Sequence, residues 1–202
     1  MLIKILDNVA DTIIKNSDYL TDLDRAIGDG DHGVNIARGF SEIKAILPTL
    51  QDASVSVIFQ KVGMTLLTKV GGASGAIYGT AFMSAANFMK DKENFNDKIV
   101  VELLNSMIEG IQKRGKAEIG EKTMLDTVIP TYEFIKEAND KGISLVTIEE
   151  KIIKVAREGK EKTKNMIATK GRASYLGERS VGHIDPGAES SFLIIEAICK
   201  SI

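Results

Sequence analysis

The chain has 202 residues and a hydrophobic fraction of 44%, which is enough for one domain with a buried core. Its 26 Lys and Arg nearly balance 28 Asp and Glu, which argues against a nucleic-acid partner because polyanion binders normally carry a basic excess. The one cysteine, Cys199, excludes an intrachain disulfide framework and a cysteine-based zinc site, and it favours a reducing, cytoplasmic location.

Apolar residues recur at three- and four-residue intervals along the chain and predict eight helices in an all-α fold. In chain order the predicted segments are 2–20, 36–47, 55–70, 76–89, 100–111, 124–137, 147–166 and 186–198. Ser54 and Asp185 are predicted N-caps, and Pro186 stands at a first helical position. Strand signals are thin and no linker-like shift in composition occurs, so we expect one domain over residues 1–202.

Residues 70–89 carry no charge over the length of a membrane span. Their glycines and polar side chains favour a glycine-rich loop followed by a buried helix, so no membrane partner is expected. Across the chain, 16 of the 18 glycines fall in the windows 28–39, 63–79, 110–120 and 171–187. These windows are predicted to contain the loops between helices.

Three carboxylates lie within eight residues of the loop between the first two predicted helices: Asp24, Asp29 and Asp31. Such a cluster repels itself unless a cation neutralises it, and hard oxygen ligands suit Mg²⁺ or Ca²⁺. The EF-hand pattern fails because Phe40 stands where its twelfth-position glutamate is required. The alternative is a solvated acidic turn whose aspartates cap helices.

His32 and Asn35 follow the acidic loop at the start of a predicted helix. The free N–H groups and the dipole of a helix N-terminus attract anions, so a metal–phosphate complex fits between this terminus and the carboxylates. Taken alone, His32 is also consistent with a hydrogen-bonded structural histidine.

A second small-residue loop, 71–75, precedes an apolar helix and contains Ala73 and Ser74. Small residues permit close approach of a phosphate, and a serine hydroxyl can bind one. The loop matches neither a Walker loop nor a Rossmann fingerprint. Tight helix packing explains the small residues equally well.

Two further segments contain residues suited to a nucleotide. In 120–126, Thr123 is a candidate N-cap with Asp126 as its capping-box partner, while Met124 suits either the core or a flat ring. The segment 171–187 is predicted to be a long loop of the kind that covers a binding site. Its Arg172 suits a phosphate, although an exposed arginine is also commonly just solvated.

Together these motifs resemble the nucleotide-binding L subunit of the dihydroxyacetone kinase family. They are Leu-Asp-x-x-Ile-Gly-Asp-Gly-Asp-His-Gly at 23–33, Gly-Gly-Ala-Ser-Gly at 71–75, Gly-x-Lys-Thr-Met-x-Asp at 120–126, Gly-Arg-Ala-Ser-Tyr-Leu-Gly-Glu-Arg at 171–179 and Asp-Pro-Gly at 185–187. The resemblance spans essentially the whole chain. It implies an eight-helix antiparallel barrel with the nucleotide site at its loop end.

The resemblance also implies a set of site residues. Two Mg²⁺ ions would be held by Asp24, Asp29 and Asp31, which with Arg172 form the expected catalytic set. The residues expected to bind the nucleotide are His32, Gly33, Asn35, Ala73, Ser74, Gly115, Thr123, Met124, Arg172, Asp185, Pro186 and Gly187.

The family chemistry implies an ADP cofactor that cycles through ATP, a K subunit that holds dihydroxyacetone, and a phosphocarrier M subunit that donates phosphate. One alternative is a kinase subunit that exchanges ATP with bulk solution or serves another acceptor, such as a fatty acid. A second alternative is a nucleotide-sensing module without catalysis, although a sensor needs no two-metal bridge.

Overall fold

In this computed structural model, residues 1–92 and 95–202 are described, and their secondary structure is entirely helical. This confirms the all-α prediction. The α-helices are α1 (Leu2–Lys15), α2 (Ser17–Ile27), α3 (His32–Ile46), α4 (Val55–Lys69), α5 (Gly72–Phe88), α6 (Asp97–Gly115), α7 (Leu125–Asp140), α8 (Glu149–Lys162) and α9 (Pro186–Cys199). Short 3₁₀ helices span Leu47–Leu50, Leu145–Thr147, Thr163–Asn165 and Arg172–Ser180.

The first predicted segment, 2–20, is two helices rather than one. The chain bends at Asn16, whose side-chain amide donates to the carbonyl of Thr12 at 2.8 Å and satisfies a group at the end of α1. The apolar spacing continues across this bend, so periodicity alone did not reveal it. The long loop predicted for 171–187 also contains an element, the 3₁₀ helix Arg172–Ser180.

Eight of the helices form a closed ring in which each contacts the next: α1, α3, α4, α5, α6, α7, α8, α9 and again α1. The remaining helix, α2, packs against α3 and α9. Neighbours in the ring run antiparallel, as α4 and α5 show: Ser56 near the start of α4 donates to the carbonyl of Ala86 near the end of α5, at 2.8 Å. This closed arrangement agrees with the barrel that the resemblance implied.

The main core fills the ring and contains fully buried residues from several of its helices, including Ile13 of α1, Phe40 of α3 and Leu66 of α4. Burying such side chains contributes roughly 1.5–3 kcal/mol each. The uncharged stretch 70–89 forms α5, which packs between α4 and α6. Within the described ranges, no helix combines the length and apolar character needed to span a bilayer.

Two predicted caps are confirmed and determine where helices begin. Ser54 accepts from the N–H of Val57 at 3.3 Å at the start of α4. Asp185 accepts from the N–H of Ala188 at 2.7 Å, and Pro186 takes the first position of α9. The cap on α9 also orients residues 185–187, a turn that the sequence analysis places among the expected nucleotide-binding residues.

Candidate functional site

The three loop carboxylates converge: Asp24, Asp29 and Asp31 each offer an oxygen within 4.8 Å of the others. One oxygen of Asp24, Oδ2, accepts from the backbone N–H groups of Asp31 at 2.9 Å and His32 at 3.1 Å. The N-terminus of α3 therefore orients this carboxylate through backbone donors.

Gly28 leaves room for the second carboxylate oxygen of Asp24, Oδ1. A Cβ placed on Gly28 would lie only 2.0 Å from Asp24 Oδ1, so a larger residue there would displace the carboxylate. Asp29 and Asp31 are exposed, whereas Asp24 is the most enclosed of the three. Three convergent hard oxygen donors at a solvent-accessible loop fit the ligand preferences of Mg²⁺.

Arg172 reaches this acidic loop from the 3₁₀ helix Arg172–Ser180. Its Nε lies 2.9 Å from Asp29 Oδ2, and both side chains are exposed to solvent. An ion pair of this kind stabilises a protein by only about 0–1 kcal/mol. Its importance is therefore positional, since it places a guanidinium beside the candidate metal ligands.

Gly33 brings α2 and α3 together. A Cβ on this residue would lie 2.0 Å from the carbonyl oxygen of Ser17 and 2.4 Å from the hydroxyl of Thr21. The close approach of the two helices explains a glycine at this position through packing. It also places the carboxylate of Asp24, on α2, against the N-terminus of α3.

His32 is buried, and both of its ring nitrogens face hydroxyl groups. Nδ1 lies 2.9 Å from Ser74 Oγ on α5, and Nε2 lies 3.0 Å from Ser190 Oγ on α9. Burial lowers the pKa of the imidazole, although Asp24 and Asp31 act in the opposite direction. The side chain thus links three helices as a structural histidine, while its backbone N–H lies beside the acidic loop.

Sequence reasoning did not identify Tyr78, which continues this hydrogen-bond network. Its hydroxyl lies 2.9 Å from both Ser190 Oγ and Ser191 Oγ, and burial raises its pKa to about 12. Ser190 in turn donates to the carbonyl of Gly187 at 3.1 Å. The network therefore runs from His32 to the turn before α9, and nothing in an apolar helix sequence signals such a role for a tyrosine.

The starts of α3 and α5 lie side by side. Asn35 accepts from Arg38 Nη2 at 2.7 Å, and a Cβ on Gly71 would lie 3.1 Å from Asn35 Oδ1. Ala73 and Ser74 occupy the first turn of α5, where Ala73 is exposed. Two helix N-termini next to three carboxylates provide donors for phosphate oxygens and ligands for a metal at one end of the ring.

Met124, Gly187 and Gly115 occupy the neighbouring part of the same end. A Cβ on Gly187 would lie 3.5 Å from Met124 Cβ, so the start of α7 meets the turn before α9. At the end of α6, a Cβ on Gly115 would lie 3.1 Å from Ile77 Cδ1. Met124 and Ile77 pack against one apolar cluster that includes Leu125. These contacts form a partly apolar wall beside the start of α5.

Thr123 is not the N-cap of α7 that the sequence predicts, because α7 begins at Leu125 with Met124 as its N-cap. Only the Asp126 half of the predicted capping box forms. The N–H of Thr123 donates to Asp126 Oδ2 at 2.7 Å, and its hydroxyl accepts from the N–H of Leu125 at 3.2 Å. Asp185 also has a structural role as the cap of α9. Burial raises the pKa of Asp185 to about 7, with Asp126 raising it further and Lys122 opposing the shift.

The comparisons with known proteins agree with this geometry. Residues 26–200 match the family model described as the DAK2 domain. The chain belongs to the DAK2 domain family. This membership confirms the resemblance inferred from the sequence motifs.

Two curated relatives of this DAK2 domain are similar over almost their whole lengths. One is the ADP-binding subunit DhaL of PEP-dependent dihydroxyacetone kinase 1 from Listeria innocua, with 41% identity over 97% of this chain and 93% of the relative. The other is the ADP-binding subunit DhaL of the PTS-dependent dihydroxyacetone kinase of Lactococcus lactis, with 44% identity over 94% of this chain and 91% of the relative.

Solved structures resemble the DAK2 domain in fold. The native dihydroxyacetone kinase of C. freundii superposes with a TM-score of 0.78 and 25% identity, covering 99% of this chain and 34% of that one. The same enzyme in complex with AMP-PNP and Mg²⁺ superposes with a TM-score of 0.77 and 25% identity, covering 99% of this chain and 33% of that one. The helical ring is therefore the known fold of a larger kinase's domain.

Proposed function

We propose that this chain is the ADP-binding subunit of a phosphoenolpyruvate-dependent dihydroxyacetone kinase and that residues 1–202 form one phosphotransferase domain. The observation that carries the proposal is the convergence of Asp24, Asp29 and Asp31 beside the N-termini of α3 and α5. Phosphoryl transfer depends on alignment and charge neutralisation, and this end of the ring provides groups for both. The names of the relatives support the same function.

The three aspartates are the proposed ligands of two Mg²⁺ ions. Asp24 would contribute Oδ1, because Oδ2 already accepts two backbone N–H groups, while Asp29 and Asp31 would contribute exposed carboxylates. Bound Mg²⁺ neutralises phosphate charge and aligns the reacting oxygens. Arg172, beside Asp29, would add a further positive charge near the transferred group.

The nucleotide would lie across the same end of the ring. The starts of α3 and α5 would bind its phosphates, through the backbone of His32 and Gly33 and through Asn35, Ala73 and Ser74. The wall of Gly115, Thr123 and Met124 would face the nucleoside, and the turn Asp185–Pro186–Gly187 would cover it. ADP held there would supply the group that accepts the phosphoryl group from the donor, and the resulting ATP would supply it to the acceptor.

We infer a K subunit as the holder of dihydroxyacetone and a phosphocarrier M subunit as the phosphate donor. The support is that relatives matched over 91–93% of their length are themselves subunits named ADP-binding. The names of these relatives offer no support for the alternative of a fatty-acid acceptor or exchange with bulk ATP.

The test starts with mass spectrometry of nucleotide released from denatured protein after exhaustive dialysis. Stoichiometric ADP is expected, followed by phosphate transfer from a phosphorylated M subunit to dihydroxyacetone when a K subunit is present. Transfer from bulk ATP without an M subunit, together with loss of nucleotide on dialysis, would instead establish the alternative kinase.

A further inference from the structure

Lys122 is buried at one end of the ring and is not among the residues proposed to touch the nucleotide or the metal. Its residue is 1% exposed, and its backbone has φ of 59°, in the left-handed region that non-glycine residues rarely occupy. This conformation is strained for a residue other than glycine and persists only where the surrounding structure requires it. Hydrogen bonds of the buried ammonium group hold the side chain in this position.

The ammonium group of Lys122 joins three segments of the chain. From the turn before α7, it donates to the carbonyl of Thr163 after α8 and to the carbonyl of His183 before α9. A cation at the carbonyl end of a helix is stabilised by the helix dipole, as here at the end of α8. An apolar side chain in its place would leave two carbonyls without this donor.

Thr163 extends the connection to the turn before α9. Its fully buried hydroxyl accepts from the N–H of Asp185 at 3.0 Å and donates to the carbonyl of Lys160 at 2.6 Å. Lys122, through His183, and Thr163, through Asp185, therefore both hold the segment that leads into α9. Lys122 itself stands two residues before Met124, which packs against the turn at Gly187.

We propose that Lys122 is a positioning residue that sets the separation between Met124 and the turn 185–187, and thereby the affinity for the nucleoside part of the nucleotide. This inference rests on the proposed function as an ADP-binding subunit. Lys122 would not touch the nucleotide itself and would act through the backbone carbonyls of Thr163 and His183.

The phosphate side of the site is held by other contacts. Asp24 is oriented by the backbone of α3, and His32 links α3 to Ser74 on α5. None of these bonds includes Lys122 or Thr163. Among the described residues, the hydrogen bonds of the phosphate side reach the turn only through Ser190, which contacts His32 and donates to the carbonyl of Gly187. Loss of Lys122 should therefore weaken ADP binding without weakening the binding of pyrophosphate, which lacks a nucleoside.

The experiment compares Lys122→Met with the wild type after nucleotide has been removed with EDTA. Isothermal titration calorimetry measures dissociation constants for ADP and for pyrophosphate, both with Mg²⁺. We expect about tenfold weaker ADP binding, the effect of losing a charge-assisted hydrogen bond, with pyrophosphate binding changed by less than about twofold. Lys116→Met is the matched control, because Lys116 also has a left-handed backbone (φ 49°) but an exposed side chain.

Unchanged ADP affinity, or equal losses for ADP and pyrophosphate, would overturn the positioning role. If Lys122→Met does not fold, Lys122→Gln decides the question, because glutamine keeps a donor but is shorter and uncharged and cannot reproduce the bonds to both carbonyls. Weaker ADP binding with unchanged pyrophosphate binding supports the inference, and unchanged affinity for ADP refutes it. A wild-type protein that binds pyrophosphate but not ADP would contradict the proposed function itself, and this inference with it.

Discussion

The acidic loop and the buried part of the wall, formed by Lys122 and Asp126 next to Met124, hold their charged groups in opposite ways. Asp29 and Asp31 are exposed, and the ion pair between Asp29 and Arg172 lies in solvent. In the wall, Lys122 and Asp126 are almost completely buried and satisfied by backbone groups. Exposed carboxylates remain available to a cation, whereas buried charges with complete hydrogen bonding fix the shape of the backbone.

Mutations in the two regions should therefore affect different properties, activity in one and stability in the other. Substitutions in the acidic loop should remove activity with little loss of stability, because water replaces the lost contacts. Substitutions in the wall should reduce stability, because buried partners are left without hydrogen bonds.

The largest expected effect is that of Asp29→Asn on phosphate transfer. Removing one proposed metal ligand should lower the transfer rate by at least about a hundredfold, since charge neutralisation in the transition state is lost. Transfer assays with partner subunits measure the rate, and thermal melts with and without Mg²⁺ measure whether the ion still stabilises the protein. Asp22→Asn is the control, because Asp22 is exposed on α2 and pairs only with Arg25 among the described residues. Near-normal transfer by Asp29→Asn would show that the carboxylate is not catalytic.

The second effect is the destabilisation caused by Asp126→Ala. This carboxylate is 2% exposed and accepts from the N–H groups of Gly120 and Thr123. Alanine leaves both donors unpaired, which should lower the free energy of unfolding by about 2 kcal/mol. Urea denaturation measures the change, and Asp126→Asn, which keeps one acceptor oxygen, should lose less. Equal losses in the two variants would argue that side-chain volume rather than hydrogen bonding is important here.

A smaller effect is expected for Tyr78→Phe. The variant removes the hydroxyl shared with Ser190 and Ser191 while keeping the ring, and should cost about 1 kcal/mol. Denaturation curves provide the measurement. Tyr175→Phe is the control because the Tyr175 side chain is exposed, and it should leave stability unchanged. A stability equal to the wild type in Tyr78→Phe would show that the network contributes nothing to folding.

The smallest effect concerns the pH dependence of stability. The pKa of Asp185 is about 7 in the folded protein, above the value of roughly 4 for an unfolded aspartate, so folding favours the protonated form. Its contribution to stability is present below about pH 4 and is lost as the pH rises toward 7. Asp185→Asn should not show this loss of stability with rising pH, because asparagine does not titrate. Because residue Asp185 is partly exposed, we expect the wild type to lose less than about 1 kcal/mol relative to the variant between pH 4.5 and 8. Parallel stability curves would contradict the assigned shift.

Much of the helical fold and the acidic loop followed from the sequence alone. Apolar spacing locates helices because one face of each must be buried, and the caps Ser54 and Asp185 were recognised from local chemistry. The cluster of Asp24, Asp29 and Asp31 was visible because all three residues lie in one short loop. Such features depend on residues that are close together in the sequence, so the sequence is sufficient to predict them.

Only the tertiary structure decided the closure of the ring, the bend at Asn16 and the roles of Tyr78 and Lys122. The roles of Tyr78 and Lys122 depend on groups far apart in sequence: Tyr78 meets Ser190 and Ser191, and Lys122 meets Thr163 and His183. A buried tyrosine or lysine has the same local pattern whether it meets a partner or fills space. Its partners become known when the helices have packed, and this is the physical reason that the sequence indicated the acidic loop of the candidate site but not the long-range contacts of Tyr78 and Lys122.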